Sequence, residues 1–189
     1  MLDGPRINPP RKAASLVVLL HGYGADGNDL IALAEAWRPL LPATAFVAPH
    51  APELLPFEAM AGRQWFDLTM RDASELRRGT LAAAPTLMRF LDAELARHAL
   101  PPDRLALVGF SQGTMMALHV GLRRPIAPAA IVGYSGVIAG PEQLSAEITS
   151  RPPVQLVHGE ADEVIPVAAL AITREALAAA GVPVEWHIA

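Results

Sequence analysis

The sequence predicts an α/β fold, a mainly parallel sheet flanked by helices. Three observations carry that prediction. Short apolar segments alternate with longer helix-like ones along the chain. Several of the short segments are hydrophobic at consecutive positions, the mark of strands buried on both faces. Hydrophobic residues make up 52% and charged residues 18% of 189 positions, which suits a chain with a large core.

The elements follow in order. Leu16–Leu20 is the first strand. Gly22, Gly24 and Gly27 form a loop, and a helix runs from about Asn28 to Trp37, stopped by Pro39. Thr44–Ala48 is the next strand. Pro49–Arg71 fits neither period and reads as an excursion over the strand ends. Its apolar residues Leu54, Leu55, Phe57, Met60, Trp65, Phe66 and Leu68 either line a pocket or pack a long loop against the sheet edge. A long helix covers about Ser74–His98, with Pro85 predicted to kink or break it. Strand Leu105–Gly109 leads into helix Gln112–Leu122, and strand Ala130–Tyr134 follows. Pro152-Pro153 is too short to divide domains and feeds strand Val154–Val157. Helix Pro166–Ala179 is closed by Gly181, and Val184–Ile188 is the last strand. With no repeat and no linker, residues 1–189 read as one domain.

Composition narrows the function. A net charge of −4 without a basic block argues against nucleic acid. The chain has no cysteine, which excludes disulfides, thiolate metal sites and a cysteine nucleophile. Its apolar runs are far shorter than the roughly 18 residues of a membrane helix, so stable membrane insertion is not expected. The N-terminal stretch lacks a signal-peptide core, and cytoplasm is the default location. A homodimer is compatible with this reading.

Three stretches carry chemistry. Gly22, Gly24 and Gly27 between strand and helix match G-x-G-x-x-G, the fingerprint of a dinucleotide turn. That site wants an acidic residue about 20 positions on. "TAFVAPHAP" offers none before Glu53. The alternative is an oxyanion loop of the H-G-G-G type, and "HGYG" suits it better. Gly109-Phe110-Ser111-Gln112-Gly113 is a complete G-x-S-x-G. Such a pentapeptide arises by chance in roughly one chain in thirty of this length, so its context decides. It falls where a strand ends and a helix begins, as a nucleophile elbow does. The bland alternative is a serine N-cap between turn glycines. On the elbow reading, the N–H groups of Tyr23 and Gln112 pair as oxyanion donors. The third stretch, "HGEADEVIP", puts Asp162 on a loop after a later strand, where the acidic member of a triad belongs. Glu160 and Glu163 are its rivals. His158, Glu160 and Asp162 at alternate loop positions do not by themselves make a metal site.

"HGYGADGNDL", "GRQWFDL", "GFSQGTMMAL" and "HGEADEVIP", in this order, resemble the carboxylesterase/phospholipase family of α/β-hydrolases, relatives of acyl-protein thioesterases. The resemblance covers nearly the whole chain. It implies a serine hydrolase of carboxylic esters, thioesters or lysophospholipids that needs no cofactor or metal. It implies Ser111 as nucleophile, Asp162 as the acid, Tyr23 and Gln112 as oxyanion donors, and Trp65 and Phe66 beside an acyl pocket. One departure is Thr114, where the family usually has glycine. Its Cβ is expected to tighten helix–sheet contact without touching the chemistry.

The other departure is the general base. The family carries this histidine in a G-H-G turn after the last strand, whereas the sequence ends at "VPVEWHIA". Of the six histidines, His21 and His158 match other family positions. His50 lies in the excursion, His98 at a helix end and His119 mid-helix. His187 obeys the chain order of a triad, but its alternation reads as a strand residue. The expectation is therefore a C-terminally incomplete α/β-hydrolase domain without its final helix, its base lying beyond Ala189. The alternative is a non-catalytic binding module on the same fold. A chain ending at Ala189 would be poorly soluble and keep only residual catalysis, on the order of 10³–10⁴ over water.

Overall fold

The computed structural model describes residues 2–56, 62–69, 72 and 74–189. Phe57, Met60, Met70 and Arg71 of the excursion lie outside the described residues. The strands are β1 (Arg6–Ile7), β2 (Ser15–Leu20), β3 (Thr44–Val47), β4 (Glu53–Leu54), β5 (Arg63–Gln64), β6 (Leu105–Phe110), β7 (Ala130–Tyr134), β8 (Val154–His158) and β9 (Val184–Ile188). The helices are α1 (Gly27–Trp37), α2 (Glu75–His98), α3 (Gln112–Gly121), α4 (Leu144–Glu147) and α5 (Ala168–Ala179). Short 3₁₀ turns lie at Pro102–Arg104 and Pro141–Gln143.

Seven strands form one sheet in the order β1-β3-β2-β6-β7-β8-β9. β1 runs antiparallel to β3, and every other pair is parallel. β4 and β5 make a separate two-residue hairpin. The consecutive apolar runs have the predicted cause. In β2, Leu16, Val18 and Leu20 join the larger core on one face, while Val17 and Leu19 join Ala34, Phe46 and Val108 on the other. Each face of the central strands is covered, so no polar alternation survives.

The helices show how local chemistry sets their limits. α1 opens on a capping box, in which Asp26 accepts from Asn28 N–H and Asp29 accepts from Asp26 N–H. α3 is buried along all ten residues. α5 ends where Gly181 adopts φ 71° and Val182 N–H returns to the Leu177 carbonyl. α2 corrects the expected break, because it runs unbroken through Pro85. Pro85 cannot donate to the Leu81 carbonyl. Both residues are exposed, so water can take the missing bond. β9 forms the far edge of the sheet. Beyond Val184 its side chains are exposed, and the Arg174 guanidinium lies 4.7 Å from the Trp186 ring centre.

Candidate active site

The site assembles at the C-terminal ends of the parallel strands, as open α/β sheets dictate. β6 delivers Ser111 into a backbone conformation of φ 53°, ψ −117°, strained for any residue with a Cβ. The flanking glycines are required by close approach. A Cβ at Gly113 would stand 1.9 Å from the Leu20 carbonyl oxygen. A Cβ at Gly109 would stand 2.4 Å from the Gly113 carbonyl oxygen. Ser111 N–H is bonded to the Tyr134 carbonyl at 2.8 Å, which ties the elbow to the tip of β7. A plain helix cap is the poorer description. The Ser111 side chain makes no cap hydrogen bond.

The glycine loop after β2 faces this serine. A Cβ at Gly22 would come within 3.2 Å of the Ser111 Cβ. His21 is fully buried and holds the loop from behind. Its Nε2 accepts from Ala51 N–H at 2.9 Å, which leaves Nδ1–H to donate to the Gly22 carbonyl at 2.8 Å. Burial pushes the His21 pKa down and keeps the ring neutral. β5 backs the loop through Gly24 N–H to the Arg63 carbonyl and Arg63 N–H to the Ala25 carbonyl. Among the described residues, the Tyr23 and Gln112 N–H groups have no protein partner. Gln112 opens α3, so its N–H has no carbonyl one turn back.

Trp65 and Phe66 lie behind the cavity wall. Both are buried, neither lines the cavity, and both are bonded to the Gln112 side chain. The Gln112 side chain accepts from Trp65 N–H and donates to the Phe66 carbonyl, each at 2.8 Å. Trp65 Nε1–H donates to the His21 carbonyl at 2.9 Å. This clamp joins the excursion to both loops, and the sequence motif gave no sign of it. Of the other apolar residues in the excursion, Leu68 lines the cavity, Leu55 is buried and Leu54 is exposed.

Asp162 sits on the turn after β8. One carboxylate oxygen accepts from Val164 N–H and Ile165 N–H, both at 2.9 Å. The Ile165 N–H is the main force holding this carboxyl below the usual carboxylate range, and Val164 N–H and the Ser135 hydroxyl add to it. Glu160 and Glu163 on the same turn are exposed. His158 is buried, with Nε2 2.8 Å from the Ile165 carbonyl oxygen and 3.7 Å from Asp162. Among the described residues, no group of three or more His, Asp or Glu could hold a metal ion.

Ser111, Tyr23 and Asp162 line one cavity of about 500 Å³, with apolar walls from Leu76, Phe110, Met115 and Val137. Ser135, at the tip of β7, also lines it and has φ 45°. Sequence reasoning missed Ser135, which no motif marks. Among the described residues, no histidine lines the cavity. His187 is exposed on β9, opposite Val157. Another cleft, of about 430 Å³, lies at the far end of α1 against Pro9, Arg38 and Leu41. Among the described residues its lining holds no serine and no histidine, and the Thr44 hydroxyl there is bonded to Ser15.

A sequence profile of the phospholipase/carboxylesterase family matches residues 3–188. Acyl-protein thioesterase 1 of Schizosaccharomyces pombe is 32% identical over 174 residues, covering 87% of this chain and 76% of that protein. Esterase YpfH of Escherichia coli is 29% identical over 175 residues, covering 92% and 73%. The crystal structure of esterase PE8 is 44% identical and superposes with a TM-score of 0.94, over 100% of this chain and 88% of that one. Arabidopsis thaliana SOBER1, at 22% identity and a TM-score of 0.78, shares the fold.

Proposed function

The chain belongs to the phospholipase/carboxylesterase family of α/β-hydrolases, and from that premise we propose that it is a serine esterase working through an acyl-enzyme. One observation carries the reading. A serine held at φ 53° on a strand-to-helix elbow opens on the same apolar cavity as Asp162 and Tyr23.

Ser111 Oγ attacks the carbonyl carbon of an ester or thioester. The base takes the Oγ proton as the bond forms. The negative charge on the carbonyl oxygen is met by the N–H groups of Tyr23 and Gln112, each worth about 3–4 kcal/mol in the transition state. The C–O or C–S bond then breaks, and the base returns its proton to the leaving alcohol or thiol. Water, deprotonated by the same base, releases the acid from Ser111. The base is a histidine that the family resemblance puts in the turn after β9. The end of that strand supports the assignment. Ala189 N–H donates to the His158 carbonyl and Glu160 N–H to the Ala189 carbonyl, so β9 ends beside the Asp162 turn. Asp162, kept ionised by backbone N–H groups, would orient that imidazole and stabilise its charged form. No metal or organic cofactor enters this chemistry.

The apolar walls favour an acyl chain as the bound portion of the substrate. The partner is a small acyl ester or thioester, not nucleic acid, and the setting is the cytoplasm. Among the described residues, no helix is long and apolar enough to cross a membrane. A fluorophosphonate probe tests the nucleophile. In the full-length protein, wild type should be labelled and Ser111→Ala should not, with p-nitrophenyl ester turnover falling at least about 10³-fold. Equal labelling of both would reject Ser111, and an inert full-length wild type would favour a binding module.

A further inference from the structure

Thr114 stands in the first turn of α3 and is fully buried. Its hydroxyl lies 2.8 Å from the Gly109 carbonyl oxygen on β6 and 2.9 Å from the Tyr134 carbonyl oxygen on β7. Neither contact is the usual bond from a helical threonine to a carbonyl one turn back. Both reach out to strand tips. The Tyr134 carbonyl also receives Ser111 N–H, and the next N–H, that of Ser135, donates to the Val157 carbonyl at 2.9 Å. The peptide between Tyr134 and Ser135 is thus held at both ends.

The end of β7 is shaped to this side chain. A Cβ at Gly133 would meet Thr114 Cγ2 at 2.5 Å, and a Cβ at Gly136 would meet Thr114 Cβ at 2.4 Å. The residues on either side of the clamp, Ser111 and Ser135, are two of the three non-glycine residues with positive φ among those described. Both line the cavity with Asp162. Strained conformations persist only where their surroundings over-determine them.

Resting on Ser111 as the nucleophile, we propose that Thr114 is a positioning residue. Its hydroxyl clamps the tips of β6 and β7 and so sets the separation between Ser111 and the Ser135–Asp162 side of the cavity. The hydroxyl has one proton for two carbonyls, so the proton is shared and the clamp depends on both strands staying in place. To the expected tightening of helix–sheet contact by its Cβ, this adds a role for the hydroxyl.

Three variants separate the hydroxyl from the shape. Thr114→Val keeps the shape and removes the hydroxyl, Thr114→Ser keeps the hydroxyl, and Thr114→Ala removes both. Two readouts are taken per folded molecule: amide exchange at Ser111 and Ser135, and the rate of fluorophosphonate reaction with the kcat and KM of a p-nitrophenyl ester. Thr114→Val should exchange those amides at least tenfold faster and react at least tenfold more slowly, with KM within twofold of wild type. Thr114→Ser should stay within threefold on every measure. The proposal is overturned if Thr114→Val matches wild type, or if Thr114→Ser is as impaired as Thr114→Val. Should the valine variant not fold, the serine and alanine pair makes the same comparison. A full-length wild type that takes no phosphonate would reject the nucleophile, while amide exchange would still decide the clamp.

Discussion

At the scale of single residues, burial decides charge. His119 is 4% exposed on α3, and its Nδ1 has no partner among the described residues. Burial, reinforced by Arg123, lowers its pKa to about 4. A histidine in the unfolded chain titrates near 6.5. Between these values the unfolded chain binds more protons than the folded one, so stability rises with pH from about 4 to about 6.5 and is then flat. The span corresponds to up to about 3 kcal/mol. His21, also lowered by burial, acts in the same direction. Urea unfolding at several pH values should show the slope, and His119→Gln should flatten it. An equal slope in wild type and variant would contradict the assignment. Among the candidate site residues, Ser111 and Asp162 were legible because each sits in a motif read within a few positions. The clamp by the Gln112 side chain was not, since its partners Trp65 and Phe66 lie 47 and 46 positions away.

At the scale of elements, local patterning was a good guide wherever an element was long. The six longer strands lie within one residue of their predicted ends, and the four long helices within two. The two-residue strands β1, β4 and β5 and the four-residue α4 escaped, because so few positions cannot display a period. Pro85 shows the limit of a residue-type rule. Proline costs about 3 kcal/mol in a helix interior, yet Leu87, Phe90 and Leu91 are buried beyond it and carry the helix through. Pro85→Ala should restore the bond to Leu81 and stabilise the protein by about 2 kcal/mol, after allowing for the freer unfolded chain. A raised urea midpoint with unchanged slope is the expected result, and a lowered midpoint would show that proline is needed there.

At the scale of the whole molecule, one buried charge ties distant segments. Glu94 on α2 is 2% exposed and accepts from Arg6 of β1 at 2.8 Å and from Arg97 at 3.2 Å. Arg6 also reaches Asp3 at 2.7 Å. Removing one partner of a buried pair leaves the other uncompensated. Glu94→Gln should therefore destabilise the fold by about 2 kcal/mol, less than for a fully buried pair because Arg6 is one-fifth exposed. A double-mutant cycle with Arg6→Met would read the coupling, and additive effects would refute it. By itself, the sequence determined the α/β class, the order of the long elements, the serine elbow and the acidic turn. Each is written in neighbours a few positions apart, where propensity, periodicity and turn chemistry operate. Only the tertiary structure decided that Tyr23, Ser111, Ser135 and Asp162 share a cavity, that Thr114 bridges two strands and that Glu94 meets Arg6. These meetings depend on the order β1-β3-β2-β6-β7-β8 across the sheet. Strand order is a matter of long-range packing, which no local pattern encodes.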